Sequence, residues 1–254
     1  MTKYYKYPHT PYLSFSPTIE SIDETDKSIK LIFDNNELYN KEWDFTLKMD
    51  GENATLYRDH IHARSLDSRH HESRSYVKGL HSEIKHRIPE GWRICGENLY
   101  AVHSIKYDDL WDYFLVFSVW DENNMCLSVL DTLEFLEPLG LRMCPSMKFG
   151  ISTLEKNGKF GLVNHRGPFY KILDVNLIQV NFLEEYPNEE GFVIRNANSF
   201  HFDDFHKNVA KWVRPNHVQT DQHWMHKKIE KNGLTKVRNF GFFEQYVDFL
   251  EKGE

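Results

Sequence analysis

Residues 43–63 read WDFTLKMDGENATLYRDHIHA. Trp43 to Lys48 alternates apolar and polar side chains, the period of a half-buried strand, and Asp50-Gly51 is a tight-turn signal. Ala54 to Tyr57 and Ile61 to Ala63 form the arms of a hairpin across Asp59-His60. Lys48 therefore stands at a strand end, directly before a turn.

Outward from this stretch, Glu72 to Ile88 has Val77, Leu80 and Ile84 at helical spacing, with Pro89 as the stop. Trp92 to Gly96, Tyr113 to Trp120 and Met125 to Val129 are β-rich, with a hairpin turn at Asp121 to Asn124, and Asp131 to Leu139 reads as a helix burying Leu133 and Leu136. Further strands are expected at Gly191 to Arg195 and Val209 to Val213, and helices at Ile172 to Phe182 and Phe243 to Leu250. Residues 1–42, with Pro8, Pro11 and Pro17 and an apolar patch at Ile29 to Phe33, form an irregular lead-in with a strand or two. Strands and helices mix without regular βαβ alternation, so the expected fold class is α+β, mainly antiparallel sheets with flanking helices.

The chain has 254 residues, 40% hydrophobic and 27% charged, with aromatics spread along its length, which excludes disorder. No apolar stretch approaches a membrane span, the start has no apolar leader, and the three cysteines have no C-x-x-C spacing; a cytoplasmic location is expected. The net charge of −7 hides two basic islands. Arg58 to Arg93 carries +3 and six histidines, His201 to Phe240 carries +4 and five histidines, and the remainder carries −14. Folded together, the islands would form one anion-binding surface, with Arg74 and Lys227 as phosphate contacts outside any motif.

No phosphate loop, dinucleotide fingerprint, nucleophile elbow or H-E-x-x-H helix is present. His217, His223 and His226 have spacings a zinc ion accepts, but fourteen histidines make chance clustering the better account, and no cysteine lies nearby. The informative run is Lys48-Met49-Asp50-Gly51-Glu52-Asn53, followed in order by Arg64-Ser65, Gly96-Glu97-Asn98-Leu99-Tyr100, Tyr113 to Asp121, Glu189-Glu190-Gly191-Phe192-Val193-Ile194-Arg195, and Val209-Ala210-Lys211-Trp212-Val213-Arg214.

This series resembles the successive motifs of the ATP-dependent RNA ligase family, within the covalent nucleotidyltransferase superfamily of ligases and mRNA-capping enzymes, over about residues 43–214. The resemblance implies a nucleotidyltransferase (ATP-grasp-like ligase catalytic) domain over 1–215, a short C-terminal extension over 216–254 packed on it, and no appended OB barrel. It implies that Lys48 is the nucleophile on the α-phosphate of ATP and that Asp50 orients the lysine or a metal water. Glu97 would accept from the ribose hydroxyls and Phe117 would stack on adenine. Glu190, with Glu189 as rival, would bind Mg²⁺ or Mn²⁺ or the lysine, while Gly191 lets the backbone approach the nucleotide. Lys211 would neutralise the triphosphate, and Arg64, with Arg69 as rival, would contact the AMP phosphate or an RNA 5′-phosphate end. The family's last motif commonly has two lysines flanking one residue; here only Lys211 is present, with Lys207 or Arg214 as possible substitutes. The expected partner is RNA with 5′-phosphate and 3′-hydroxyl ends. Two alternatives stay open: an adenylyltransferase acting on another acceptor or capping RNA ends, and a non-catalytic RNA- or nucleotide-binding module.

Overall fold

The computed structural model describes residues 3–17, 32–154, 159–162, 173–174, 179, 182–215 and 229–235. Two compact units divide the chain. One takes in Met1–Pro8, Met49–Cys144 and Val218–Phe242; the other takes in His9–Lys48, Pro145–His217 and Phe243–Glu254.

The second unit is built on an antiparallel sheet. Its strands are β1 (Glu42–Leu47), β8 (Ser146–Leu154), β9 (Lys159–Leu162), β10 (Leu173–Asp174), β11 (Gly191–Asn196) and β13 (Val209–Val213), in the order β10-β9-β8-β1-β11-β13. A short strand, β12 (Phe200–His201), and a one-turn helix, α3 (Phe205–Asn208), lie between the last two. Trp43 and Phe45 enter one core with Phe192, Ile194, Ala210 and Trp212, but β1 is not half-buried as the alternation indicated, because the polar Asp44 and Thr46 between and beside them are buried as well. Phe182 closes that core, and the Phe192 and Trp212 rings stack with centroids 5.4 Å apart. Leu13, Phe33 and Leu38 from the lead-in join it.

The first unit holds the hairpin β2 (Glu52–Tyr57) and β3 (Ile61–Ala63), with β4 (Arg93–Asn98), β5 (Phe114–Trp120) and β6 (Met125–Cys126) following in the sheet order β6-β5-β4-β2-β3. β7 (Arg142–Met143) pairs with β5 in parallel. Helices α1 (Ser75–Ile84) and α2 (Val129–Leu136) accompany this sheet. The fold is thus α+β with mainly antiparallel sheets, as the pattern of elements indicates.

Differences from the sequence expectation have local causes. The strand expected over Met125 to Val129 stops at Cys126, because Ser128 Oγ accepts from the Asp131 backbone N–H and starts α2 at Val129. In α1 the buried face is Val77, His81 and Ile84, with Leu80 only half-buried. His81 takes that place because its Nε2 bonds the Tyr57 carbonyl at 2.6 Å, which satisfies a polar ring inside the unit. Leu133 and Leu136 are buried as expected. Residues 230–235 are stitched to 99–113: buried Asn232 accepts from the Tyr107 N–H and donates to the Leu99 carbonyl. Among the described residues no helix is long and apolar enough to cross a membrane. The histidine trio at 217, 223 and 226, Lys227, the helix expected at 243–250 and most of the one expected at 172–182 lie outside the described residues.

Phe192 is fully buried between Phe182 and Trp212. Phe192→Ala is expected to destabilise the protein by about 3–5 kcal/mol, because truncating a fully packed aromatic loses its transfer free energy and leaves a cavity. Urea unfolding followed by tryptophan fluorescence measures it.

Candidate functional site

The register of three strands brings one group of candidate residues together. Leu47 pairs with Phe192, and the Lys48 N–H donates to the Gly191 carbonyl at 2.9 Å, so the lysine that follows β1 arrives beside the residue that precedes β11. Lys48 Nζ donates to Glu190 Oε2 at 2.5 Å, a charge-assisted bond between residues 142 positions apart. The carboxylate side is nearly closed, 8% exposed, while the lysine side chain keeps 26%. Of the two neighbouring glutamates, it is therefore Glu190 that meets Lys48.

Lys211 pairs in register with Val193 on β13. Strand alternation puts Lys211, like Lys48, on the sheet face opposite the aromatic core that Ala210 and Trp212 enter. Its ammonium lies over the ring of Tyr12, 4.0 Å from the centroid. Tyr12 is delivered by the lead-in: Lys211 N–H donates to the Pro11 carbonyl at 2.9 Å and Leu13 N–H to the Lys211 carbonyl at 2.8 Å. Burial pushes the Tyr12 phenol up, the Lys48 charge pulls it down and the Glu190 charge pushes it up again, so Tyr12 shares an electrostatic environment with both. Neither substitute considered for a second lysine is uncommitted. Lys207 binds Asp204 at 2.9 Å, and the Arg214 guanidinium donates to the Tyr186 and Pro187 carbonyls.

Gly191 has a task within the fold itself. A Cβ there would lie 2.0 Å from the Trp212 carbonyl oxygen, so the glycine is required for β11 to pair with β13. The close approach is to a strand, and Glu190 is positioned by it.

The other unit carries a second group of candidate residues. Asp50 Oδ2 accepts from the backbone N–H groups of Ser104 and Ile105, both at 2.7 Å, while the Asp50 N–H donates to the Tyr107 hydroxyl. This fixes the turn that follows Lys48. Gly51 belongs to the same arrangement, since a Cβ would sit 2.6 Å from the Asn98 carbonyl. Glu97 lies in β4, opposite Asn53 of β2. Arg64 follows β3, and its guanidinium, which donates to the Pro8 carbonyl at 3.3 Å, feels the charges of Tyr7 and Glu97; burial works against its positive form and those charges favour it. Phe117 is the half-buried residue of otherwise buried β5, and the Tyr7 ring packs edge-on against it at 4.9 Å. Arg69 is more exposed than Arg64, and both line a cavity of about 380 Å³. Arg74 is already neutralised by a bidentate pair with Glu52, so it is not a spare phosphate contact.

The site residues that sequence reasoning missed are Tyr7 and Tyr12. Both come from the irregular lead-in, where four tyrosines within the first twelve residues were the available signal.

The model of the RNA ligase family matches residues 41–213. The chain belongs to the RNA ligase family. Its solved structural relatives include a Naegleria gruberi RNA ligase mutant with ATP and Mn (13% identity, TM-score 0.44, 72% of this chain and 52% of that one). An archaeal ATP-dependent RNA ligase is 16% identical at TM-score 0.48, covering 82% of this chain and 48% of the other. A putative ATP-dependent DNA ligase from Aquifex aeolicus is 16% identical at TM-score 0.47, covering 83% and 50%. The chain thus spans about half the length of these proteins. No curated protein matches it.

Within this family member, Gly191→Ala is expected to break the β11–β13 pairing around Trp212, since a 2.0 Å approach to a backbone oxygen leaves no room for a methyl group. Amide exchange at Arg214, whose N–H donates to the Glu190 carbonyl at 3.1 Å across this pairing, should accelerate at least tenfold relative to wild type.

Proposed function

We propose that the chain is an ATP-dependent RNA ligase acting through a covalent lysyl-AMP intermediate. Lys48 Nζ attacks the α-phosphorus of ATP; an N–P bond forms, the bond to the β-phosphate oxygen breaks, and pyrophosphate leaves. AMP then passes from Lys48 to a 5′-phosphate end of RNA, and a 3′-hydroxyl attacks that phosphate, sealing the strand and releasing AMP. The observation that carries this reading is the Lys48–Glu190 pair, set by strand register in a member of the RNA ligase family.

While paired, Lys48 is an ammonium without a lone pair. Attack requires its proton to leave, and Glu190 Oε2 at 2.5 Å is the acceptor in place. Lys211, its ammonium held over Tyr12, is assigned to the triphosphate. Arg64 is assigned to the AMP phosphate or the 5′-phosphate end, Glu97 to the ribose hydroxyls and Phe117 to the face of adenine. Asp50 holds the turn through Oδ2 and keeps Oδ1 for the nucleophile or a metal-bound water.

Among the described residues no group of three His, Cys, Asp or Glu side chains is close enough to hold a metal ion by itself. That donor set suits Mg²⁺ or Mn²⁺ arriving with its nucleotide, because such ions take one or two carboxylates and complete their shell with phosphate oxygens and water. Glu190 and Asp50 are the carboxylates assigned to it. Once bound, the ion neutralises phosphate charge. The domain assignment, 1–215 catalytic with 216–254 as an extension, belongs to the same reading. So does a cytoplasmic location, with which three free, buried cysteines agree.

Incubation with labelled ATP and Mg²⁺ followed by denaturing electrophoresis is expected to give a labelled protein band, absent in Lys48→Ala. A band persisting in that variant removes Lys48 from its role, and labelling without sealing of RNA ends favours the transferase alternative. Glu190→Ala should slow labelling more than tenfold, as loss of a charged hydrogen bond costs about 1.5–3 kcal/mol or more. Labelling with ATP should exceed that with GTP. Tyr12→Leu should raise the KM for ATP about threefold and Tyr12→Phe should not, because a phenyl face still holds the Lys211 ammonium.

A further inference from the structure

Beside Arg64, between the β2–β3 hairpin and α1, lies a cavity of about 200 Å³ that the proposed adenylylation does not use. It adjoins a more open one of about 380 Å³, with Glu52, Ala63, Ser68, Arg69 and Arg74 lining both. The volume is several times the ~30 Å³ share of one water. Arg74 cancels Glu52 by their bidentate pair, which leaves Arg69 and Lys78 as the remaining cations lining the smaller cavity. Lys78 spends one donor on His70 Nδ1, at 2.8 Å, and has two more.

His62 supplies the second observation. It lines the same cavity, is 3% exposed, and its buried Nε2 has no hydrogen-bond partner. Its Nδ1 lies 2.5 Å from the Ala63 carbonyl, which requires the ring proton on Nδ1. Burial, foremost, and the nearby His60 and Arg93 disfavour a second proton, although the Ala63 bond works the other way. Nε2 is therefore a lone pair in need of a donor. A phosphate diester cannot satisfy it, because it has no proton to give; a hydroxyl can.

An anion and a hydroxyl on one small ligand define its chemistry. We propose that this cavity is a ribose-phosphate site for the RNA strand, with the phosphate against Arg69 and Lys78 and the sugar hydroxyl donating to His62 Nε2. Inside a polynucleotide only the 2′-hydroxyl remains free, so the site selects RNA over DNA. The proposal rests on the RNA-ligase reading and adds to it where the ribose is recognised.

The test is fluorescence anisotropy of a single-stranded RNA and the DNA of the same sequence, without ATP. Wild type should prefer RNA, and a scan of single 2′-deoxy substitutions should find one position where affinity drops about fivefold, the worth of one neutral hydrogen bond. His62→Phe should lower the RNA-to-DNA affinity ratio about fivefold through RNA alone. The Arg69→Ala, Lys78→Ala double variant should weaken both strands and flatten the salt dependence by about 0.7 per lost contact. A flat scan on wild type overturns the proposal whether or not the variants fold, as does an unchanged ratio in folded His62→Phe. If free AMP displaces RNA far better than dAMP while the scan is flat, the cavity serves a mononucleotide and the strand assignment fails. Failure of the ligase reading is recognised separately, by the absence of a labelled adduct on wild type.

Discussion

Everything at the proposed nucleophile depends on β11 pairing with β1 on one side and β13 on the other. A one-residue slip in either ladder turns the strand over. Slipping β1 would send Trp43 and Phe45 out of the core and take Lys48 away from Glu190 in the same movement. The aromatic core therefore specifies the register, and the register specifies the chemistry. Gly191 enforces it sterically, since any side chain there collides with the Trp212 carbonyl.

The Lys48–Glu190 pair also sets a condition on reactivity. A lysine held at 2.5 Å by a nearly closed carboxylate is oriented by it. Under the proposed function the amine must lose a proton before it attacks, and the same carboxylate is the adjacent acceptor. Lys211 is also held over the face of Tyr12, its ammonium 4.0 Å from the ring centroid.

Much of this was legible in the sequence because two periods were clean. Alternation over 43–47 and the apolar strands 114–120, 191–195 and 209–213 led to antiparallel sheets, and the order of motifs led to Lys48, Glu190 and Lys211. What was not legible depended on partners remote in sequence. His81 in place of Leu80 on the buried face of α1 needs the Tyr57 carbonyl, Gly191 needs Trp212, and Asn232 needs Leu99 and Tyr107. Tyr12 has no periodic neighbourhood at all; it reaches Lys211 because two backbone hydrogen bonds lay the lead-in along β13. A motif points to candidate side chains, but not to which irregular segment is folded against them.

The long separation of the paired residues has a consequence for how the site comes into being. Lys48 and Glu190 are brought together by strands 142 residues apart, and Tyr12 reaches Lys211 across a still longer span. None of these contacts exists in a local hairpin or helix, so the site is absent until the whole β1–β11–β13 ladder is closed, and non-local strand pairing of this kind forms late because loop-closure entropy must be overcome first. The cavity lined by His62, Arg69 and Lys78 is different in kind. It is built from the hairpin at 52–63 and the helix that follows it, all within 47 residues from Glu52 to Asn98. Recognition of a ribose phosphate there depends on structure within one segment of the chain, whereas the proposed covalent chemistry depends on long-range register.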